Sequence, residues 1–165
     1  MNTLIRNPFK AALAAFSLLT LSLPALAETQ VKDAWVRATV PGQPATGAFM
    51  ELTASTDSKL IGVASPAAKT VEVHEMSMKG EMMSMKPVSS VELPAGKTVV
   101  FDSEGYHVML IGLVAQVKEG DQIPLILTIQ DAKGERQTLE VQAQARALNS
   151  SAHDAHAGHG THAGH

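Results

Sequence analysis

Two histidines in the body of this chain are each followed, two residues on, by a methionine: His74-Glu75-Met76 and His107-Val108-Met109. Methionine supplies only 8 of 165 residues, so meeting it at the same offset twice is a rare coincidence. Imidazole with thioether is a recognisable ligand set. Thioether sulfur is soft and neutral and favours Cu(I), whereas imidazole alone suits zinc, copper, nickel or iron equally. A further five histidines, His153, His156, His159, His162 and His165, recur at every third position of the C-terminal tail. Nitrogen-only ligands of that kind favour Cu(II), Ni(II) or Zn(II).

The chain has no cysteine. That excludes thiol–disulfide exchange, thiolate metal binding and a blue-copper centre, which requires a Cys ligand. Any soft metal here must be held by Met and His. Met76, Met78, Met82, Met83 and Met85 fall within ten residues among Ser, Lys, Gly and Glu, which makes a poor core segment. Met50, flanked by Ala48-Phe49 and Glu51-Leu52, reads as ordinary core filling.

Strands must position these groups, since on a strand residues i and i+2 share a face. Val71 and Val73 are expected inward and His74 and Met76 outward. Val108, Leu110 and Leu113 can serve the core while His107 and Met109 point the other way together, so both pairs are expected to be accessible to a partner. Lys79-Gly80 is a plausible two-residue hairpin turn. That register sets His74 across from Met85 and Met76 across from Met83, with opposed β-carbons about 4.5–5.5 Å apart. Two neighbouring strands would then present two imidazoles and two thioethers together.

Other candidate strands are Ala34–Thr39, Gly47–Thr53, Lys59–Ala64, Thr98–Phe101 and His107–Leu113, with alternation at Leu125–Ile129 and Thr138–Ala143. Turn signals separate them, among them Pro41-Gly42, Pro94-Ala95-Gly96, Glu119-Gly120 and Lys133-Gly134. Seven to nine short strands at this spacing predict an all-β, antiparallel sandwich. The domain is expected to run over residues 28–149. Residues 1–27 read as a secretory signal peptide: Arg6 and Lys10, an apolar stretch from Ala11 to Leu23, then Ala25-Leu26-Ala27 for cleavage after Ala27. No other stretch reads as a stable membrane span. Residues 150–165 lack large apolar side chains and are expected to be disordered without metal.

The signal segment holds two of the 13 basic residues and none of the 16 acidic ones, which leaves the remainder at a net charge of −5. A mildly acidic chain without a basic stripe is a poor partner for nucleic acid. No Ser/His/Asp set or pair of catalytic acids stands out, so an enzyme is not expected.

The motif spacing closely resembles that of the periplasmic copper chaperones of the PCu(A)C type. Their signature is His, ten residues, Met, twenty-one residues, then His-x-Met; His74, Met85, His107 and Met109 match it without adjustment. Ala34-Trp35-Val36-Arg37, Thr46-Gly47-Ala48-Phe49-Met50 and Gly105-Tyr106-His107-Val108-Met109-Leu110 are similar as well. The resemblance implies a cupredoxin-like Greek-key β-sandwich with Cu(I) on His74, Met85, His107 and Met109. It also implies a periplasmic location and delivery of copper to the subunit II copper domain of cytochrome c oxidase, beside Sco-type thiol proteins. A monomer is expected. Met76, Met83 and the five tail histidines are secondary metal candidates, the tail for Cu(II) or zinc. The alternative reading is a periplasmic buffer that sequesters copper or zinc.

Overall fold

Ten strands account for nearly all regular structure in the computed structural model, which describes residues 28–80 and 82–147. They are β1 (Thr29–Arg37), β2 (Ala45–Ala54), β3 (Ser58–Ala64), β4 (Ala68–Lys79), β5 (Met82–Val88), β6 (Val91–Leu93), β7 (Thr98–Phe101), β8 (Tyr106–Leu113), β9 (Gln122–Asp131) and β10 (Arg136–Arg146). The expected signal peptide and His-rich tail lie outside the described residues.

Hydrogen bonding links the strands in the order β5-β4-β8-β7-β2-β1-β10-β9-β3-β6, with β8 also pairing with β2. Residues from both ends of this ribbon meet in one core. Val73 of β4, Val108 and Leu110 of β8 and Leu52 of β2 join Leu60 of β3, Leu93 of β6 and Leu125 and Leu127 of β9. The ribbon therefore folds over itself into a two-layered β-sandwich, as the alternating pattern predicted, in keeping with the cupredoxin-like fold that the PCu(A)C resemblance implies. Non-sequential neighbours such as β4–β8 and β1–β10 make the crossovers of a Greek key.

Two pairings depart from the antiparallel expectation: β1–β10 and β7–β8 are parallel. Neither pair is joined by a hairpin, and only a hairpin forces neighbouring strands to run antiparallel. Strand β6 was not foreseen either; at three residues it is too short to show a period.

The β1 strand is interrupted by a bulge between Lys32 and Trp35, where Asp33 adopts φ 47°. Aspartate tolerates that left-handed conformation better than most residues, and its carboxylate is held by the Arg146 guanidinium of β10. Beyond the bulge Trp35 and Val36 are buried. A second irregularity ends the alternation of β8. Gly112 has φ +70°, and both its N–H and that of Leu113 donate to the Pro44 carbonyl. Leu113 accordingly packs only at the margin of the core, although β8 is regular as far as Leu110.

Candidate metal centre

Strand β8 sorts its side chains by period 2. Val108 and Leu110 are fully buried in the core, and His107 and Met109 occupy the opposite face. Strand β4 does the same, with Val73 in the core and Glu72, His74, Met76 and Met78 on the other side. The antiparallel register of these strands sets His74 directly opposite His107 and Glu72 opposite Met109. The two imidazole centroids are 5.8 Å apart in an edge-on arrangement. A hydrogen bond from Met76 N–H to the Gly105 carbonyl (3.0 Å) anchors the loop that enters β8. Asp102 Oδ1 shapes that loop by accepting from the N–H groups of Glu104 (2.9 Å) and Gly105 (2.7 Å).

Met85 reaches this face by a different register from the one expected. The hairpin closes on Lys79 and Met82, so Gly80 and Glu81 separate the paired positions. Met85 stands across from Met76, Met83 across from Met78, and His74 across from Pro87. The reason lies in Gly80, whose φ of +64° suits the first central position of a primed hairpin turn. The partner of each residue moves by two positions, and a shift of two preserves the face. Met85 therefore stays on the same side as both histidines, diagonal to His74.

His107, Met109, Met85 and Met76 line one cleft of about 350 Å³ together with Arg37 and Phe49. His74 is not part of its lining and stands beside His107. The expectation that both His/Met pairs would be accessible needs correction. His74 and His107 are only 8% and 6% exposed, and the open groups are thioethers, with Met85 at 50%. The imidazoles are covered because they sit in mid-sheet, whereas Met85 lies on β5, the edge strand. Met50 is buried in the core, as its context predicted.

Among the described residues, two buried atoms at this site lack a partner: Nδ1 of His74 and Nδ1 of His107. An unsatisfied buried polar atom costs about 1–3 kcal/mol. Nε2 of His74 lies 2.8 Å from Glu72 Oε2. A carboxylate only accepts, so Nε2 carries the proton and the Nδ1 lone pair is left free. Both rings thus hold an unused nitrogen in a dry setting, next to thioethers and without a thiolate. That donor set fits a soft monovalent cation.

The pKa of His107 is lowered from its ordinary value of 6.5, first by burial and then by His74, with Arg37 adding to the effect; the backbone of Gly105 and then Asp102 oppose it. The ring is therefore held neutral, the form that coordinates metal. The stability consequence has a definite sign. Between the depressed folded value and 6.5 the unfolded chain binds more protons, so stability is fully present above 6.5 and declines as pH falls toward the folded value. Urea midpoints of the metal-free protein should drop over that window, and the drop should be shallower in His107→Leu. Parallel profiles for the two proteins would refute this assignment.

Sequence reasoning missed three contributors. Glu72 shares the face of His74 at i−2 and could have been found by the same period-2 rule. Arg37 and Phe49 are remote in sequence. The Arg37 guanidinium carbon lies 5.3 Å from the Phe49 ring centroid, and Phe49 stacks on Trp35 at 4.5 Å. Gly47 permits this wall, because a β-carbon there would meet Phe49 Cζ at 2.9 Å.

Residues 29–144 match the family described as "Putative lipoprotein LpqE-like". The chain belongs to this family. A similar relative is "Putative lipoprotein Lxx21020" of Leifsonia xyli subsp. xyli, 33% identical over an alignment of 118 residues that covers 66% of this chain and 71% of that protein. Among solved structures, the Cu(I) form of DR1885 from Deinococcus radiodurans is 32% identical, covering 74% of this chain and 81% of that one, with a TM-score of 0.57. Apo-DR1885 is 27% identical over 88% of this chain and 97% of its own, with a TM-score of 0.54. The apo PCuAC domain of PmoF2 is 20% identical, covers 74% of this chain and 93% of its own and has a TM-score of 0.57, a likeness of fold alone. The resemblance to PCu(A)C domains drawn from the His/Met spacing is thus met by LpqE-like membership and by these folds.

Proposed function

We propose that this LpqE-like protein is an exported carrier of Cu(I), which it holds on His74, His107, Met85 and Met109 and releases to an acceptor copper protein. One observation carries the reading: two opposed, buried imidazoles each keep an unpartnered Nδ1 beside a cleft lined with thioethers. The similarity to the Cu(I) form of DR1885 supports the choice of ion. All four ligands are neutral, so the complex carries only the charge of the ion. Release needs no proton or electron: an incoming donor replaces the exposed Met85 thioether first, and the buried imidazoles let go last. Copper is cargo here, and the chain does no chemistry on it.

Glu72 has a positioning role. By fixing the tautomer and tilt of His74 it acts as the outer carboxylate of a carboxylate–imidazole–metal series. Glu72→Ala should weaken Cu(I) binding by about 10–100-fold while the ligands stay in place. A chelator competition showing unchanged affinity would remove Glu72 from the site.

By resemblance, the acceptor is the copper domain of cytochrome c oxidase subunit II, with Sco-type thiol proteins acting alongside in the periplasm. The test is transfer. Cu(I)-loaded protein mixed with the apo acceptor domain should lose copper to it, and no movement in either direction would contradict delivery.

Buffering of copper or zinc is the second reading, favoured by His153, His156, His159, His162 and His165. It requires several ions per chain and Cu(II) binding that disappears when those five are replaced by alanine.

A further inference from the structure

The hairpin beyond the cleft carries methionines that the four-ligand site does not use. Strand pairing sets Met78 opposite Met83 and, one step nearer the cleft, Met76 opposite Met85. All four share the face that carries His74 and His107. Directly opposed β-carbons lie about 4.5–5.5 Å apart, so neighbouring flexible thioethers reach a common point. Met78 is 66% exposed and Met83 60%, so neither fills the core. The hairpin lies at the edge of the sheet, where β5 has no neighbour beyond β4 among the described residues.

We infer that Met76, Met78 and Met83 form a second, all-thioether Cu(I) site near the hairpin turn, from which the ion passes by ligand exchange into the His74/His107 cleft. The inference rests on the Cu(I)-carrier reading and adds a path for loading and release. Three observations converge on it. The ligands are soft and neutral, with no nitrogen, thiolate or carboxylate among them, and such a set takes Cu(I) and leaves Zn(II) and Cu(II) alone. Met78 and Met83 stand in water, Met76 is half-buried and the imidazoles are buried, so an ion arriving from solution or from a partner meets sulfur first. They are also continuous with the cleft, because Met76 and Met85 both line it. Each transfer exchanges one coordinate bond for another. A thioether leaves as the next one binds, the copper stays Cu(I) and no proton moves. Three thioethers hold the ion more weakly than the mixed set, so net movement is inward until an acceptor removes it.

The experiment uses the full chain labelled with ¹³C at the methionine methyl groups and titrated anaerobically with Cu(I). Single Met→Leu variants assign the resonances. The first equivalent should shift Met85 and Met109, and further Cu(I) should shift Met78 and Met83. If Met78 and Met83 stay fixed in excess Cu(I) while Met85 and Met109 have moved, the second site is overturned and the carrier reading stands. If Met85 and Met109 do not move, the carrier site itself fails. A Met78→Leu/Met83→Leu variant, close in volume and apolarity, should take up Cu(I) from a chelator about tenfold more slowly or worse, with the affinity of the first equivalent unchanged. Unchanged uptake would overturn the loading path.

Discussion

Replacing His107 with leucine should lower Cu(I) affinity by more than about a hundredfold, beyond the range of outer-sphere changes. The same change should leave the metal-free protein at least as stable as the parent. The two effects have one origin. His107 is buried, its Nδ1 has no partner, and the ring is held neutral in the absence of metal. In a metal-free fold that arrangement is a cost of about 1–3 kcal/mol, which a well-packed leucine removes. A histidine kept for packing alone would behave in the opposite way: its removal would lower stability and spare metal binding. Chelator competition for Cu(I), run beside urea unfolding of the apo forms, separates the two cases.

Leu110→Ala should destabilise the metal-free protein by about 2–5 kcal/mol, the usual range for a large buried aliphatic side chain. Leu110 is fully buried in the core, on the same strand as His107 and Met109 but on the other face. It contacts no copper, yet it helps to hold the strand that presents two of the four proposed ligands. Because Cu(I) binds the folded state, saturating it should recover part of the loss, by about 2.7 kcal/mol at a free concentration one hundred times Kd. Urea unfolding of Leu110→Ala with and without Cu(I) measures both quantities. A variant whose midpoint does not respond to Cu(I) would show that β8 is not part of the binding unit.

These expectations depend on features that differ in how openly the sequence displays them. The alternation of Val108 and Leu110 with His107 and Met109 was legible because a strand has a period of two and one face of it must be buried. The face of Met85 was legible for the same reason, although its partner was not. Lys79-Gly80 and Gly80-Glu81 both offer a two-residue loop, and the choice rests on where the glycine must adopt its positive φ. A two-residue change in register leaves the face intact, so the convergence of sulfur and nitrogen survived the wrong partner assignment. Burial of His74 and His107 had no local signal. It follows from β4 and β8 being interior strands, which is decided by pairings remote in sequence. The parallel pairing of β1 with β10 was hidden likewise, as was the wall of Arg37, Phe49 and Trp35. Glu72 was legible by the same period of two, at i−2 from His74, although nothing local marked its carboxylate as the partner of that imidazole.

The most direct test of the central claim is copper-edge X-ray absorption on the protein loaded with one equivalent of Cu(I), repeated with His74, Met85, His107 and Met109 replaced one at a time. The account predicts nitrogen and sulfur together around the ion in the parent. Each histidine variant should lose nitrogen scattering and each methionine variant sulfur scattering. A nitrogen-only environment, or a spectrum indifferent to all four replacements, would contradict it.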